Sequence, residues 1–373
     1  MRIGYDAKRA FFNHRGLGNY SRDTIRIMSN FMPTDDCYLF SPKAQGGIRF
    51  PLTENCHIVT PQGYISKTFN SLWRTKTMCN DIRKLQLQVY HGLSHELPMG
   101  IEKTGVRSVL TMHDLIWVKH PDFYPLIDRI LYTKKYRRSC MQADAIIATS
   151  QQTKDDLVAL WHIDDKKISV VYQGCSPIFR TRATQEQKDS VRRKYQLPAE
   201  FILNVGAIEA RKNQIRILQA LKQLKNDIPL VIVGKSTDYQ PTLLEAIAAN
   251  RLTDRVLLIN EARTDEMPAI YQMASLFVFP SLSEGFGIPI VEALQSEIPV
   301  IAAKGSCLEE SGGNCCQYFD PNDTEELAML IDKTLEDKEL QTKMRQNSIE
   351  HLKLFSDETI AKKIHDIYDS NTF

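Results

Sequence analysis

The stretch Leu276–Leu294, LFVFPSLSEGFGIPIVEAL, decides how the chain is read. Its first four residues are apolar and β-prone, the pattern of a strand buried on both faces. From Ile288 onward it reads as a helix, with Pro289 in the first turn, where a missing N–H costs little. Between the two lie Ser281, Ser283, Glu284, Gly285 and Gly287, a polar turn that allows close backbone approach. Another apolar run, Ile298–Ala302, follows. The whole is a β-α-β unit of a parallel sheet, with Glu284 and Glu292 set at the mouth of that sheet.

The same alternation extends in both directions. Upstream, strands are expected at Arg2–Tyr5, Tyr38–Ser41, His57–Thr60, Val89–His91, Arg107–Met112, Ala145–Thr149 and Ile168–Tyr172. Helices are expected near 18–31, 67–85, 126–142 and 151–161, the last capped by Ser150. The pattern breaks at 176–199, a polar stretch with Pro177 and Pro198, and restarts at Phe201–Val205, Leu230–Val233, Val256–Ile259, Leu276–Phe279 and Val300–Ala302. A chain of 373 residues is long for one core. The expected fold class is α/β, with two Rossmann-like, doubly wound parallel-sheet domains. The first spans 1–178, joined by a C-terminal helix at 356–373 with Ser356 as its N-cap, and the second spans 199–355.

Composition narrows the partners. Net charge is +2, which argues against nucleic acid as an obligatory partner, but residues 1–178 carry 24 Lys+Arg against 16 Asp+Glu, and the remainder 23 against 29. The basic first half points to an anionic surface or substrate on that side. The eight cysteines show no C-x-x-C spacing, which fits reduced thiols in a cytoplasmic protein. The N-terminal stretch has no apolar signal core and no run is long enough to span a bilayer, so a cytoplasmic location is expected, with peripheral contact on an anionic membrane open. The basic, aromatic-bearing stretches Lys67–Lys76 and Asp128–Arg138 are candidates for that contact; the alternative is a solvated charged face.

Ligands of open α/β sheets bind beyond the carboxyl ends of the strands. Three segments have that position. In the first, the start of the helix after Gly287 offers N–H groups and a dipole to an anion. Glu284 precedes that helix and Glu292 lies about a turn inside it. Carboxylates accept paired hydrogen bonds from vicinal diols, so the two suit different parts of one extended ligand. In the second, Val205–Asn213 (VGAIEARKN), Gly206 ends a strand and Arg211 and Lys212 fit a diphosphate. The third is Gly16-Leu17-Gly18, a weak turn signal between the first strand and a helix. Each has a plain alternative: a helix start with surface acids, a solvated basic pair, and a simple turn.

Together these residues resemble the family 4 glycosyltransferases (glycosyl transferases group 1), retaining enzymes of the GT-B fold. The likeness rests on P-S-x-S-E-G-F-G-x-P-x-x-E-A around Glu284 and Glu292, on Arg211-Lys212-Asn213, on Gly16-Leu17-Gly18 and on Thr111–Leu115. It implies that Glu284 holds the donor-sugar hydroxyls and Glu292 the ribose. Gly285, Phe286, Gly287 and Ile288 would line the sugar and diphosphate, with Gly206 beside them. Lys212 and Arg211 would hold the diphosphate, Gly16 and Gly18 would close over the donor, and His113 would orient the transferred sugar. Gln173-Gly174 stands where relatives carry Asn-Gly, and Ala207 where some carry Arg, which thins the expected phosphate cage.

The implied reaction moves a hexose, with mannose the leading candidate, from a nucleoside-diphosphate sugar (GDP-mannose or a UDP-sugar) to a saccharide or lipid-linked saccharide. No Asp-x-Asp motif follows a strand, so neither a metal nor another cofactor is expected. A GT-B sugar-nucleotide epimerase or hydrolase and a catalytically silent sugar-nucleotide-binding module are the competing readings.

Overall fold

A computed structural model describes residues 1–43, 47–48, 50–62 and 73–370. The chain divides into two units: Met1–Gly174 with Phe355–Phe373, and Cys175–Leu354.

The first unit is built on a seven-stranded parallel sheet of order β3-β2-β1-β4-β5-β6-β7. Its strands are β1 (Arg2–Asp6), β2 (Asp36–Phe40), β3 (Cys56–Val59), β4 (Val89–Gly92), β5 (Arg107–Met112), β6 (Ala145–Ala148) and β7 (Ile168–Val170). The order reverses at β1, which pairs β2 on one side and β4 on the other. The helix Gln151–Trp161 starts where Ser150 Oγ accepts the Thr153 N–H at 3.1 Å. The helix Asp357–Asp369 is capped the same way by Ser356, at 3.2 Å from the Thr359 nitrogen. It buries Ile360, Ala361, Ile364 and Tyr368 in one cluster with Ile3, Tyr5, Ile25 and Met28.

The second unit carries a six-stranded sheet, β10-β9-β8-β11-β12-β13. Here β8 is Ile202–Val205, β9 Leu230–Val233, β10 Val256–Ile259, β11 Leu276–Phe279, β12 Val300–Ala303 and β13 Gln317–Phe319. All four residues of β9, β11 and β12 are buried, as a sheet covered on both faces requires. The order reverses between β8 and β11, so the loops after these two strands leave the sheet side by side. That is the position where such sheets receive ligands.

The structure departs from the sequence reading in four places. Residues 176–199 are not merely a break, since they contain the helix Gln185–Tyr195, started by a capping box of Thr184 and Gln187. Only Val191 of that helix is buried, so it lacks the apolar stripe by which helices are recognised. Strand β13 has three residues, too few to show a period. Of the helix expected over 67–85, residues 67–72 lie outside the described residues; Trp73–Thr77 forms a π turn and Met78–Lys84 an α-helix. Finally, Gly16 and Gly18 lie in the first turn of the helix Gly16–Phe31 rather than in a loop. A Cβ on Gly18 would fall 1.8 Å from the Asn13 carbonyl oxygen, so this glycine lets the preceding turn close against the helix.

Candidate active site

The loops after β8 and β11 are stitched together before any charge is considered. Leu282 N–H donates to Arg211 O at 2.9 Å. Asn213 takes a left-handed conformation (φ 55°), and its amide donates to Pro280 O at 3.2 Å and Pro321 O at 3.1 Å. Arg211 and Lys212 lie on the single 3-10 turn Ala210–Lys212, held against the other loop. The Lys212 side chain runs over Gly206, where an added Cβ would stand 3.4 Å from Cδ and Cε.

The three charged side chains then converge. Glu284 Oε1 accepts from Lys212 Nζ at 2.6 Å and from Ser281 Oγ at 2.5 Å. Its Oε2 lies 2.8 Å from Arg211 Nη1, which also donates to Ser283 O at 2.5 Å. Lys212 Nζ sits 5.0 Å above the Phe279 ring. Burial alone would raise the Glu284 pKa; the charges of Arg211 and Lys212, with the hydrogen bonds from Lys212 and Ser281, outweigh it and hold the group at about 2. Lys212 is pulled down by burial and by Arg211, against the upward pull of Glu284. Arg211 Nη2 also lies 3.4 Å from Glu209 Oε2, so two carboxylates hold the two cations in place.

The turn Gly285–Gly287 leads into the helix Ile288–Gln295, with Phe286 buried and Pro289 in the first turn. Cys307 Sγ donates to Glu284 O at 3.1 Å, fixing the backbone beside the carboxylate. Glu292 Oε2 accepts from the buried Tyr271 hydroxyl at 2.8 Å. Burial, then the neighbouring carboxylate, drives the Tyr271 pKa up, so the phenol stays a donor. Tyr271 escapes sequence reading because it looks like any apolar position of the helix Met267–Met273. No group of three or more His, Cys, Asp or Glu side chains among the described residues could hold a metal ion.

Gly287 is the tightest point of the turn. Its φ is 110°, and a Cβ would meet Ser311 Oγ at 2.8 Å and Leu308 Cδ2 at 2.9 Å. Gly287→Ala should destabilise the second unit by about 2–3 kcal/mol, from left-handed backbone cost plus the clash. Urea unfolding followed by circular dichroism would measure it; unchanged stability would show that the turn relaxes freely.

The remaining residues singled out in the sequence belong to the first unit. His113 follows β5 and is buried. Its Nε2 faces Leu93 O at 3.0 Å, which requires the proton on Nε2, so Nδ1 accepts from the Gln173 amide at 3.3 Å. Its backbone N–H donates to His95 Nε2 at 3.0 Å, and the Tyr20 ring stands edge-on at 4.5 Å. Burial, then His95, lowers the His113 pKa to about 3, so the ring is neutral at physiological pH. Gln173, noted in the sequence as a departure, therefore orients His113. His91 is spanned by Tyr368 on Nδ1 and Thr111 on Nε2, both at 2.7 Å. Gly16 faces open space at the helix start. The structure thus brings Glu284, Lys212, Arg211, Gly206, Gly285, Phe286, Gly287, Ile288 and Glu292 together in one unit, while His113, Gly16 and Gly18 stand in the other.

Comparison with known proteins concerns the two halves of the chain and their fold. The profile described as "Glycosyl transferases group 1" matches residues 186–351, and "Glycosyltransferase Family 4" matches 35–177. The chain is 28% identical over 262 residues to the O-antigen chain mannosyltransferase B of Escherichia coli, a match covering 69% of this chain and 67% of that one. It is 27% identical over 229 residues to the O-antigen chain mannosyltransferase RfbU of Salmonella typhimurium, covering 61% and 60% respectively. The match to the longer WbdA mannosyltransferase of E. coli spans only 34% of that protein.

Two solved structures share the fold over nearly the whole chain. They are Anabaena HepE in complex with UDP and glucose (TM-score 0.71, 18% identity, 98% of each chain) and a Rickettsia africae glycosyltransferase (TM-score 0.75, 17%, 100% and 99%). With both halves matched in order and both sheets in place, the chain belongs to the family 4, group 1 glycosyltransferases of the GT-B fold.

Proposed function

We propose that this glycosyltransferase transfers mannose from a nucleoside-diphosphate mannose, with retention and without a metal ion, to a saccharide or lipid-linked saccharide of a surface polysaccharide. The observation that carries the reading is the Lys212–Glu284–Arg211 cluster at the β8/β11 switch point. The departing diphosphate gathers negative charge while the anomeric carbon becomes oxocarbenium-like. Preorganised cations and N–H groups aimed at that charge lower the barrier, because they need no rearrangement at the moment of reaction. Lys212 and Arg211 supply that charge here, and the start of the helix Ile288–Gln295 supplies N–H groups.

Glu284 takes a different role. A glycosidase acid needs a carboxyl that keeps its proton, with a raised pKa. Glu284 is held at about 2 and is ionised throughout the working range, so it accepts hydrogen bonds from the sugar hydroxyls. Glu292, already fixed by Tyr271, accepts from the ribose diol. Retention follows from attack on the face that the diphosphate leaves: the acceptor oxygen bonds to the anomeric carbon, the C–O bond to the phosphate breaks, and the phosphate takes the acceptor proton. Mannose is favoured by the O-antigen mannosyltransferases among the relatives, and a lipid-linked acceptor by the basic first half.

A panel of GDP- and UDP-sugars, scored by thermal shift and slow donor hydrolysis, tests the reading. GDP-mannose should give the largest shift and release GDP. A larger response to a UDP-sugar would overturn the mannose assignment, and no response to any nucleotide sugar would overturn the donor site.

A further inference from the structure

The edge of the first unit's sheet carries a pair of thiols that the sugar chemistry does not use. Cys37 on β2 is the register partner of Cys56 on β3, and Ile3 on β1 is the partner of Cys37, so the three stand in one row across the sheet. In-register residues of neighbouring strands point to the same face, and all three pack in the apolar cluster shared with the helix Asp357–Asp369. The eight cysteines of the described residues are all unbridged. Seven are buried, Cys37 to 1% exposure, and Cys56 alone is half-buried and open to a reagent.

Neighbouring strands lie about 4.8 Å apart, inside the roughly 4.4–6.8 Å that a disulfide spans between Cα atoms. Bonding brings the Cβ atoms to about 3.8 Å, nearer than pleated neighbours stand. Strand β3 is the edge of the sheet, with β2 as its one neighbour, so it can yield to that closure. The strain left in such a bond makes it easy to reduce, which is the property of a reversible bridge and not of a structural one. The surroundings divide the two sulfurs into attacker and resolver. Thr53 Oγ1 stands 3.4 Å from Cys56 Sγ. The hydrogen bond from Cys37, against burial and with the Thr53 and Ser29 hydroxyls, lowers the Cys56 thiol to about 6. The same hydrogen bond, with burial, pushes Cys37 up, so Cys37 keeps the proton that it shares with Cys56. Cys56 is therefore largely thiolate at neutral pH, which is the nucleophilic form.

We propose that Cys56 is a modification site for low-molecular-weight disulfides, and that Cys37 resolves the adduct into a reversible cross-strand disulfide. The Cys56 thiolate attacks one sulfur of the reagent, whose S–S bond breaks and whose other half leaves as a thiolate. The Cys37 sulfur then attacks Cys56 Sγ, the mixed disulfide breaks, and the second half departs with the Cys37 proton. The two cysteines give up two electrons and that proton, and the reagent leaves as one thiolate and one thiol. The pair belongs to the first unit and Glu284, Lys212 and Arg211 to the second, so nothing here rests on the donor site.

The whole chain is incubated with excess oxidised glutathione at neutral pH and mapped by non-reducing peptide mass spectrometry. The wild type should lose two of its eight free thiols and retain no glutathione. It should yield a peptide pair linked through Cys37 and Cys56 that dithiothreitol separates. C37S should stop at a single glutathione adduct on Cys56. C56S should react at least about tenfold more slowly, because its remaining thiols are buried. Wild-type tryptophan fluorescence shows that each variant is folded, and where one is not, the peptide map of the wild type decides. A wild type without the linked pair, with a lasting glutathione adduct, or with a bridge through any other cysteine would overturn the proposal. So would a folded C56S that is oxidised as fast as the wild type.

Discussion

Glu284→Gln should lower the rate of sugar transfer by roughly 10²–10³-fold while nucleoside diphosphate still binds, whereas Lys212→Ala should weaken both. The difference follows from the proposed roles, Glu284 on the sugar hydroxyls and Lys212 on the diphosphate. Glutamine at 284 keeps the shape and one acceptor oxygen but loses the charge that Lys212 and Arg211 bracket at 2.6 and 2.8 Å. The two cations are then short of a carboxylate, and a diphosphate can still neutralise them. Transfer fails because the sugar is held by one acceptor in place of a carboxylate. In the proposed role, Lys212 is a cation of the diphosphate site, so on its removal affinity for the product should fall with turnover. Calorimetric titration of nucleoside diphosphate into both variants, beside turnover with the donor found by the panel, separates the roles. Near-wild-type turnover in either variant, or a loss of diphosphate binding in Glu284→Gln equal to that in Lys212→Ala, would refute the assignment.

Glu284→Gln should also change the acid stability of the second unit. A carboxyl held at about 2 in the folded chain against an ordinary 4.5 contributes stability that is present above 4.5 and is lost as pH falls towards 2. The variant should therefore lose less stability across that range than the wild type.

Acid should unfold the first unit ahead of the second. His91, His95 and His113 are each lowered by burial to about 3 from an ordinary 6.5. Folded, they stay neutral; unfolded, they take protons below 6.5. Between these values the unfolded state binds more protons, so stability falls as pH falls. Asp23 works the other way: burial, partly offset by Arg26, raises it to about 6 from 3.8, and the folded state keeps its proton in that interval. Three histidines against one aspartate leave about two protons taken up on unfolding. That is a loss on the order of 3 kcal/mol per pH unit between about pH 6 and 4, enough to exhaust the stability of an ordinary domain.

The three tryptophans, Trp73, Trp117 and Trp161, all lie in the first unit, so their fluorescence reports on it alone. Urea midpoints read by fluorescence should drop steeply from pH 7 to pH 5. A flat dependence would mean that the histidines are not held neutral.

The sequence exposes much of this architecture because the strands are nearly pure apolar runs and because the helix after Gly287 announces itself through Gly-x-Gly and Pro289. Leu230–Val233, Val256–Ile259, Leu276–Phe279 and Arg107–Met112 have the same limits in the structure as in the pattern. The candidate site is legible where local geometry decides it, as in the two loops bearing Arg211, Lys212 and Glu284, whose side chains converge. What stays hidden depends on contacts between distant positions. The helix Gln185–Tyr195 buries a single residue and so leaves no stripe to read. Tyr271 touches Glu292 across 21 positions of sequence, and Gln173 reaches His113 across 60. No spacing rule links such pairs.

The helix Asp357–Asp369 has one more consequence, for the order in which the protein can be made. The second unit is an unbroken segment, Cys175–Leu354, and every residue it needs has been synthesised before the last helix appears. The first unit flanks it on both sides, Met1–Gly174 before and Phe355–Phe373 after, and cannot finish until the second has been made. Ile3, Ile25 and Met28 form an apolar surface whose cover, Ile360 to Tyr368, is translated after the whole second unit. His91 likewise waits for the Tyr368 hydroxyl. On the ribosome, the half that starts first is completed last, and a chain stopped at Leu354 would carry a whole second unit joined to an open-faced first one.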